Sequence, residues 1–127
     1  MKVGDRIIKW FEIPVNDFKR AKQFYETVFE IEMEERELGD AVMGFFPYDQ
    51  SKGTIGGAIC KGPGYLVCHK GPKLYLNGDP DLTPVINRVP DAGGEILVPK
   101  SLITPEVGYM AVFKDTEGNH IYLHSQE

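Results

Sequence analysis

The feature that most constrains the fold is a pattern of predicted elements that occurs twice along the chain. Each half of the sequence predicts a strand, then a helix, then three short strands, which together form a βαβββ module. One such module leaves its sheet open, so we expect the two modules to form a single domain over residues 1–127. We place module one at about residues 6–60, a linker at 61–72 and module two at about 73–125.

The first module is predicted from two different spacings of apolar residues. Phe11, Ile13 and Val15 alternate with other residue types, which is typical of a strand with one face in a core. Asp17 then provides a helix N-cap. The apolar residues that follow at helical spacing are Phe18, Ala21, Phe24, Tyr25, Val28 and Phe29. Three short strands are predicted at residues 32–38, 41–46 and 54–60.

The second module repeats these spacings. Leu74 and Leu76 alternate within a predicted strand at residues 73–78, and Asp79 and Asp81 precede a helix. The apolar residues of that helix are Leu82, Val85, Ile86 and Val89. The strands predicted after it are residues 95–98, 109–114 and 119–124, with a turn at 115–118.

Alternation along these strands determines which side chains face away from the helices. The strand residues on that face are Trp10, Glu12, Pro14, Lys73, Tyr75, Asn77, His120, Tyr122 and His124. A sheet face with so many polar groups is typical of a ligand pocket, because unpaired polar groups are costly in a core. We therefore expect an α+β fold in which two tandem βαβββ modules form one curved mixed sheet around a concave cavity, with the helices outside.

Charge and cysteine content exclude several classes of function. The chain has 14 Lys and Arg against 19 Asp and Glu, and its net charge of −5 disfavours nucleic-acid binding. No apolar run is long enough for a signal peptide or a membrane-spanning helix, so we expect no membrane partner. Cys60 and Cys68 fit no disulfide framework, and we expect a cytoplasmic protein with reduced thiols.

Two stretches of the sequence resemble those of a known superfamily. One begins WFEIPVND at Trp10 and continues with RAKQFY from Arg20, and the other is GYMAVFKDTEGN from Gly108. These stretches resemble the vicinal oxygen chelate superfamily of glyoxalases, bleomycin-resistance proteins and extradiol dioxygenases. The branch that is most similar contains glyoxalase-like proteins related to lactoylglutathione lyase. The resemblance implies the duplicated fold, a small-molecule ligand, a homodimer and, for an enzyme, lyase-like or isomerase-like activity.

The metal enzymes of that superfamily take one metal ligand from each of four strands. The resemblance implies that these positions in this chain are Trp10, a residue within Gly56–Cys60, Lys73 and Tyr122. Tryptophan has no lone pair to offer a metal ion, and the ammonium group of lysine repels one. We therefore expect no metal and no other cofactor, and we do not expect the metal-dependent glyoxalase and dioxygenase reactions.

Two residues of the predicted concave face have acid–base chemistry. Glu12 and His124 are the candidate catalytic residues, because a carboxylate and an imidazole in one cavity can serve as general base and general acid. The candidate ligand-binding residues are Trp10, Lys73, Tyr75, Asn77, Tyr109, His120 and Tyr122. Structural roles stay open for the catalytic pair: Glu12 as the ion-pair partner of Lys73, and His124 as a hydrogen-bond partner of the backbone.

These residues leave three hypotheses about function. The first is a glyoxalase-like small-molecule-binding protein that sequesters its ligand or catalyses a metal-independent acid–base reaction. The second is a divalent-metal-dependent enzyme of the glyoxalase or dioxygenase type with a relocated site, where His120, Cys60 or another subunit supplies a third ligand. The third is a subunit or regulatory module without catalysis.

Overall fold

The computed structural model describes residues 5–127. Residues 1–4 belong to the segment in which we expect no signal peptide, and they lie outside the described residues. The elements are β1 (Trp10–Pro14), α1 (Phe18–Phe29), β2 (Glu34–Leu38), β3 (Ala41–Phe45), a short 3₁₀ helix (Gln50–Lys52), β4 (Gly56–Lys61), β5 (Tyr75–Asn77), α2 (Thr83–Arg88), β6 (Glu95–Thr104), β7 (Gly108–Lys114) and β8 (His120–Ser125). No helix in this range is long and apolar enough to cross a membrane.

Each module forms one four-stranded sheet. The first sheet has the strand order β1-β4-β3-β2, and the second sheet has the order β5-β8-β7-β6. In both sheets the first strand of the module runs parallel to its last strand, and the remaining pairs are antiparallel. The predicted α+β class with two tandem βαβββ modules is therefore confirmed.

One detail of the arrangement differs from the predicted single curved sheet, namely the number of hydrogen-bonded sheets. The eight described strands form two separate sheets, and helix α1 contacts both of them. Phe24 packs against Phe113 of β7, with ring centroids 5.7 Å apart, while Phe18 lies over Gly44 of β3. The physical reason is that α1 carries enough apolar surface to pack on a sheet from each module, so that it becomes part of a core that the two modules share.

This shared core decides which sheet surfaces remain open. The buried core includes Ile13, Val15 and Ile59 from module one and Ala111, Phe113, Ile121 and Leu123 from module two, together with residues of both helices. Alternate side chains of the same strands lie on the opposite side of each sheet. The first-sheet outer face includes Trp10, Glu12, Pro14, Met43, Phe45, Gly56, Ala58 and Cys60. The second-sheet outer face includes Lys73, Tyr75, Asn77, Met110, Val112, Lys114, His120, Tyr122 and His124.

A buried carboxylate joins module two to module one. Glu117, in the turn between β7 and β8, accepts hydrogen bonds from the backbone N–H groups of Asn16 at 2.9 Å and Asp17 at 2.6 Å. It also accepts one from Arg20 Nε at 2.8 Å, and the Glu117 side chain is completely buried. The carboxylate therefore fixes the first turn of α1 against the β7–β8 turn, where helix N–H groups have no partner within the helix.

A second carboxylate of the same turn reinforces this contact. Asp115 accepts a hydrogen bond from the buried hydroxyl of Tyr25 in α1 at 2.7 Å. Asn119 donates to Asp115 and to the carbonyl oxygen of Pro14 in β1, both at 2.8 Å. Burial raises the pKa of Tyr25 well above its ordinary value, and the negative charge of Asp115 adds to the shift. Tyr25 thus remains a hydrogen-bond donor throughout the usual pH range.

Strand β6 extends further than the sequence pattern indicates. We expected a strand at residues 95–98, whereas β6 spans Glu95–Thr104 and includes Pro99. Proline has no N–H to donate to a ladder, so its position favoured a strand end. β6 lies at the edge of the second sheet, and its register with β7 shifts between Val98 and Ser101. The edge position and the irregular register together accommodate Pro99.

Glu117 should stabilise the fold in a pH-dependent way. Burial opposes its ionisation, but hydrogen bonds from Arg20, the Asp17 N–H and Thr116 outweigh burial and lower its pKa from 4.5 to about 2. A lowered pKa means that the stabilisation is complete above pH 4.5 and disappears as the pH falls towards 2. We predict that Glu117→Gln lowers the free energy of unfolding by about 2 kcal/mol at neutral pH, as measured by urea denaturation.

The control for this prediction is Glu32→Gln, which removes the same charge from an exposed position. We expect it to change the free energy of unfolding by less than about 0.5 kcal/mol. The difference between wild type and Glu117→Gln should shrink as the pH is lowered. Equal stability of the two proteins at neutral pH would contradict the role of Glu117 in joining the modules.

Candidate functional site

The first-sheet outer face presents one acidic group in a fixed position. Glu12 is paired with Ala58 in the β1–β4 register, and its side chain is exposed. Its carboxylate accepts a hydrogen bond from the hydroxyl of Tyr65 at 2.9 Å and one from Trp10 Nε1 at 3.3 Å. Among residues 5–127 it forms no ion pair, and in particular none with Lys73. Glu12 is therefore an oriented carboxylate whose charge no cation neutralises.

Tyr65 reaches Glu12 from the linker between the modules. Its ring packs on a small cluster of buried residues on the first-sheet outer face, namely Met43, Ala58 and Cys60. The hydrogen bond to Glu12 is the main reason that the pKa of Tyr65 rises to about 12. The tyrosine therefore stays protonated and keeps donating to the carboxylate.

An aromatic surface adjoins this carboxylate. The Trp10 ring lies 5.9 Å from the ring of Phe45 and 5.9 Å from the ring of Tyr48, measured between centroids. A side chain at Gly56 would collide with the rings of Trp10 and Tyr48, so the glycine allows both rings to lie over β4. Trp10 is 36% exposed and Tyr48 is 49% exposed, which leaves ring surface free to contact a planar ligand.

The second-sheet outer face combines aromatic and basic groups. Tyr75 and Tyr122 are paired in the β5–β8 register, with ring centroids 5.1 Å apart. The ammonium group of Lys73 lies 5.3 Å from the centroid of the Tyr122 ring. Asn77 and His124 form the next pair on the same face of β5 and β8.

The two histidines of β8 have different surroundings. His124 Nε2 donates a hydrogen bond to the carbonyl oxygen of Val107 at 2.6 Å. The other ring nitrogen, Nδ1, takes no part in this hydrogen bond. His120 stacks on His69 of the linker, with ring centroids 4.5 Å apart and an interplanar angle of 15°. The backbone contact expected as a structural role of His124 is thus present, whereas the Lys73 ion pair considered for Glu12 is absent from the described residues.

The structure does not bring all of the sequence-predicted site residues together. Trp10 and Glu12 lie on the first-sheet outer face, whereas the outer face of the second sheet carries Lys73, Tyr75, Asn77, His120, Tyr122 and His124. Tyr109 is paired with buried Ser125 and packs against the helix-facing core, so it lies on the other side of the second sheet. The ammonium group of Lys100 lies over the Tyr109 ring, 4.5 Å from the ring centroid.

Sequence reasoning missed two aromatic residues of this region and considered Cys60 only as a possible third ligand of a relocated metal site. Alternation along β4 places Cys60 on the face of Glu12, because residues at even positions from Gly56 share that face. Nothing in the linker composition indicated that Tyr65 returns to the first sheet. Tyr48 lies outside any strand, so periodicity carried no information about it.

The residues at the superfamily's metal-ligand positions do not fit a metal ion. Trp10 and Tyr122 lie on the faces expected for two of these positions. Lys73 occupies another of them and places a positive charge there. The strand that would supply the remaining ligand, β4, contains Cys60 but no histidine or carboxylate. Among residues 5–127 no group of three or more His, Cys, Asp and Glu side chains is placed to bind a metal. We therefore derive no chemical step through a metal.

The described residues form a tandem βαβββ fold with polar side chains on an outer face of each sheet. The model of the Glyoxalase/Bleomycin resistance protein/Dioxygenase superfamily matches residues 7–123. The chain belongs to this superfamily, as its resemblance in sequence indicated. Comparison with curated proteins found no match.

Several solved structures share the fold of this chain. The V278E mutant of glyoxalase I from Zea mays has a TM-score of 0.69 and 17% identity, over 93% of this chain and 45% of that chain. A glyoxalase/bleomycin resistance protein from Streptomyces sp. CB03234 has a TM-score of 0.70 and 22% identity, over 92% and 98%. The trypanothione-dependent glyoxalase I of Leishmania major has a TM-score of 0.69 and 16% identity, over 96% and 88%. The chain spans less than half of the maize structures.

The two cysteines should differ sharply in reactivity. Burial, followed by the nearby negative charge of Glu12, raises the pKa of Cys60 to about 12, whereas Cys68 is exposed in the linker. Because the thiolate is the reactive form, we predict that iodoacetamide at about pH 8 modifies Cys68 and leaves Cys60 intact in the folded protein. Mass spectrometry of the native and the denatured protein measures the number of modified thiols.

Cys68→Ser provides the matched control for this labelling. The variant should gain no label when folded and one label in guanidinium chloride. Labelling of Cys60 in the folded wild-type protein at the rate of Cys68 would show that the thiol is neither buried nor influenced by Glu12.

Proposed function

We propose that the protein binds an organic small molecule and either sequesters it or catalyses a metal-independent proton transfer on it. Membership of the superfamily supports a small-molecule ligand. The residue types at three of the superfamily's metal-ligand positions support chemistry without the usual metal. These residues are Trp10, Lys73 and Tyr122, and none of them carries a carboxylate or an imidazole group. The ligand is proposed to lie against the first-sheet outer face, over the rings of Trp10 and Tyr48.

The observation that carries this proposal is the environment of Glu12. Two donors, Tyr65 and Trp10, orient its carboxylate, yet the side chain is exposed and no cation within residues 5–127 is paired with it. Most surface carboxylates are exposed and free to rotate, whereas the two donors hold Glu12 in one orientation. An oriented and accessible carboxylate beside aromatic rings is suited to accept a hydrogen bond or a proton from a bound molecule.

In the catalytic form of the proposal, Glu12 takes a proton from the ligand and His124 returns one, so the ligand is isomerised without a change of redox state. The Nε2–H of His124 is engaged by Val107, so the proton would be carried on Nδ1. In the binding-only form, Glu12 accepts a hydrogen bond and no bond of the ligand is broken. Turnover of a bound ligand distinguishes the two forms.

We also propose a homodimer, because Glu12 and His124 lie on different sheets of one chain. In a twofold dimer the first-sheet outer face of one protomer can oppose the second-sheet outer face of its partner, which would bring both groups to one cleft. Exposed apolar side chains support an interface beside His124, where Ile103 and Val107 line the same cavity.

Glu12→Gln should weaken ligand binding without loss of fold. The chain has 1 tryptophan, so Trp10 fluorescence reports on the first-sheet outer face alone. A panel of small carbonyl compounds, aromatic acids and phenols is titrated against this signal. We predict that at least one compound quenches Trp10 in wild type and binds at least about tenfold more weakly to Glu12→Gln. The melting temperature should change little because the amide keeps the shape of the carboxylate.

Glu37→Gln is the matched control, since it removes an exposed acidic charge from β2. It should bind the same compounds as wild type does. The proposal fails if no compound in the panel changes Trp10 fluorescence. It also fails if Glu12→Gln and wild type bind every active compound equally.

The dimer is tested by light scattering of the full chain at tens of micromolar. We predict a mass twice that of one chain for wild type and a shift towards monomer for Ile103→Lys, because a buried unpaired charge destabilises an interface. Leu66→Lys, at a position that is 81% exposed in the linker, should leave the dimer intact. A monomeric wild-type protein would contradict this part of the proposal.

A further inference from the structure

The second-sheet outer face carries an ammonium group without an acidic partner. Lys73 follows the linker directly, and its Nζ atom lies over the ring of Tyr122. Among residues 5–127 it forms no ion pair. Glu12, the acid that sequence reasoning considered for it, is bonded to Tyr65 and Trp10 instead. The positive charge of Lys73 is therefore available to a ligand.

The other lysines of the second module are already engaged. Lys100 lies 2.9 Å from Asp81, and Lys114 lies 3.1 Å from Glu95. Lys73 thus differs from both, although all three belong to the second module. An unpaired cation beside aromatic rings is a common arrangement in sites that bind anions.

Two imidazole rings lie beside Tyr122 on this part of the molecule. His120 lies two residues before Tyr122 on the same face of β8, which is a separation of about 7 Å along the strand. It stacks on His69, and among residues 5–127 the ring nitrogens of this pair have no hydrogen-bond partner. These nitrogens can donate hydrogen bonds to the oxygen atoms of an anion.

The same face offers a surface for a planar ring. Tyr75 is 48% exposed, and its ring lies 5.1 Å from that of Tyr122. Tyr75, Asn77 and His124 also line a cavity of about 460 Å³ together with Asp79, at the end of β5 opposite to Lys73, and its volume is within the range of small-molecule sites. Aromatic side chains at this spacing contact a flat ligand with little loss of side-chain entropy.

We propose that the second-sheet outer face binds the carboxylate of an aromatic small molecule. Lys73 pairs with the carboxylate, the imidazole groups of His120 and His69 donate hydrogen bonds, and the rings of Tyr75 and Tyr122 contact the aromatic part. This inference rests on the proposed function, because it names the class of small molecule and the group that the protein recognises. It also explains why a lysine occupies a position where the superfamily's metal enzymes have a metal ligand.

The test compares two probes of the same shape, benzoate and uncharged benzamide, on the full chain. Amide chemical shifts in nitrogen-15 NMR spectra locate each probe and give its dissociation constant. We expect shifts at Tyr75, Tyr122 and His120, and an affinity for benzoate at least about tenfold higher than for benzamide. Lys73→Met should abolish this preference. Lys70→Met, which removes an exposed linker charge, should keep it.

Three results would overturn the inference. In the first, wild type binds neither probe, and in the second it binds benzamide as tightly as benzoate. In the third, Lys70→Met reduces the preference for benzoate as much as Lys73→Met does, which would indicate attraction to overall charge. Lys73 is exposed, so its replacement leaves the fold unchanged and the comparison remains valid.

Trp10 fluorescence separates failure of this inference from failure of the proposed function. Benzoate preference that depends on Lys73, combined with no compound whose binding depends on Glu12, supports the anion site and contradicts the proposed function. Conversely, a compound whose binding depends on Glu12, combined with equal binding of benzoate and benzamide, supports the proposed function and contradicts this inference.

Discussion

Burial of the Glu117 carboxylate is the interaction on which the arrangement of the two modules depends. It receives hydrogen bonds from the start of α1, including the N–H groups of Asn16 and Asp17, and it comes from the turn of the other module. A buried carboxylate is stable only when such partners surround it. The same contact aligns α1 with the second sheet, so that Phe24 meets Phe113 and both modules share one core.

Because the shared core covers one side of each sheet, the polar residues of each sheet lie on its opposite, outer face. The first carries an oriented carboxylate with aromatic neighbours, and the second carries a free ammonium group, two tyrosine rings and imidazoles. The two faces have complementary chemistry, one suited to accepting a proton and the other to holding an anion. A ligand between such faces would be oriented by its charge at one end and meet a base at the other.

Local pattern predicted most of the fold, and it predicted the faces of individual strands. Alternation in β1 places Glu12 opposite the core, and the duplicated spacing indicates the tandem modules. Contacts between residues that are far apart in sequence determine the path of the linker. They also determine which side of each sheet packs into the shared core. Tyr65 and the position of Tyr109 therefore required the structure. Pro99 was misleading because an edge strand accepts proline where a central strand does not.

The linker at residues 61–72 touches both outer faces, and this restricts how its length can change during evolution. Tyr65 is bonded to Glu12 of the first sheet, and His69 is stacked on His120 of the second. Four residues span at most about 14 Å when fully extended, so the segment between the two contacts has little spare length. Insertions or deletions between Tyr65 and His69 would shift one contact relative to the other. Length variation among related chains should therefore fall on either side of this segment rather than within it.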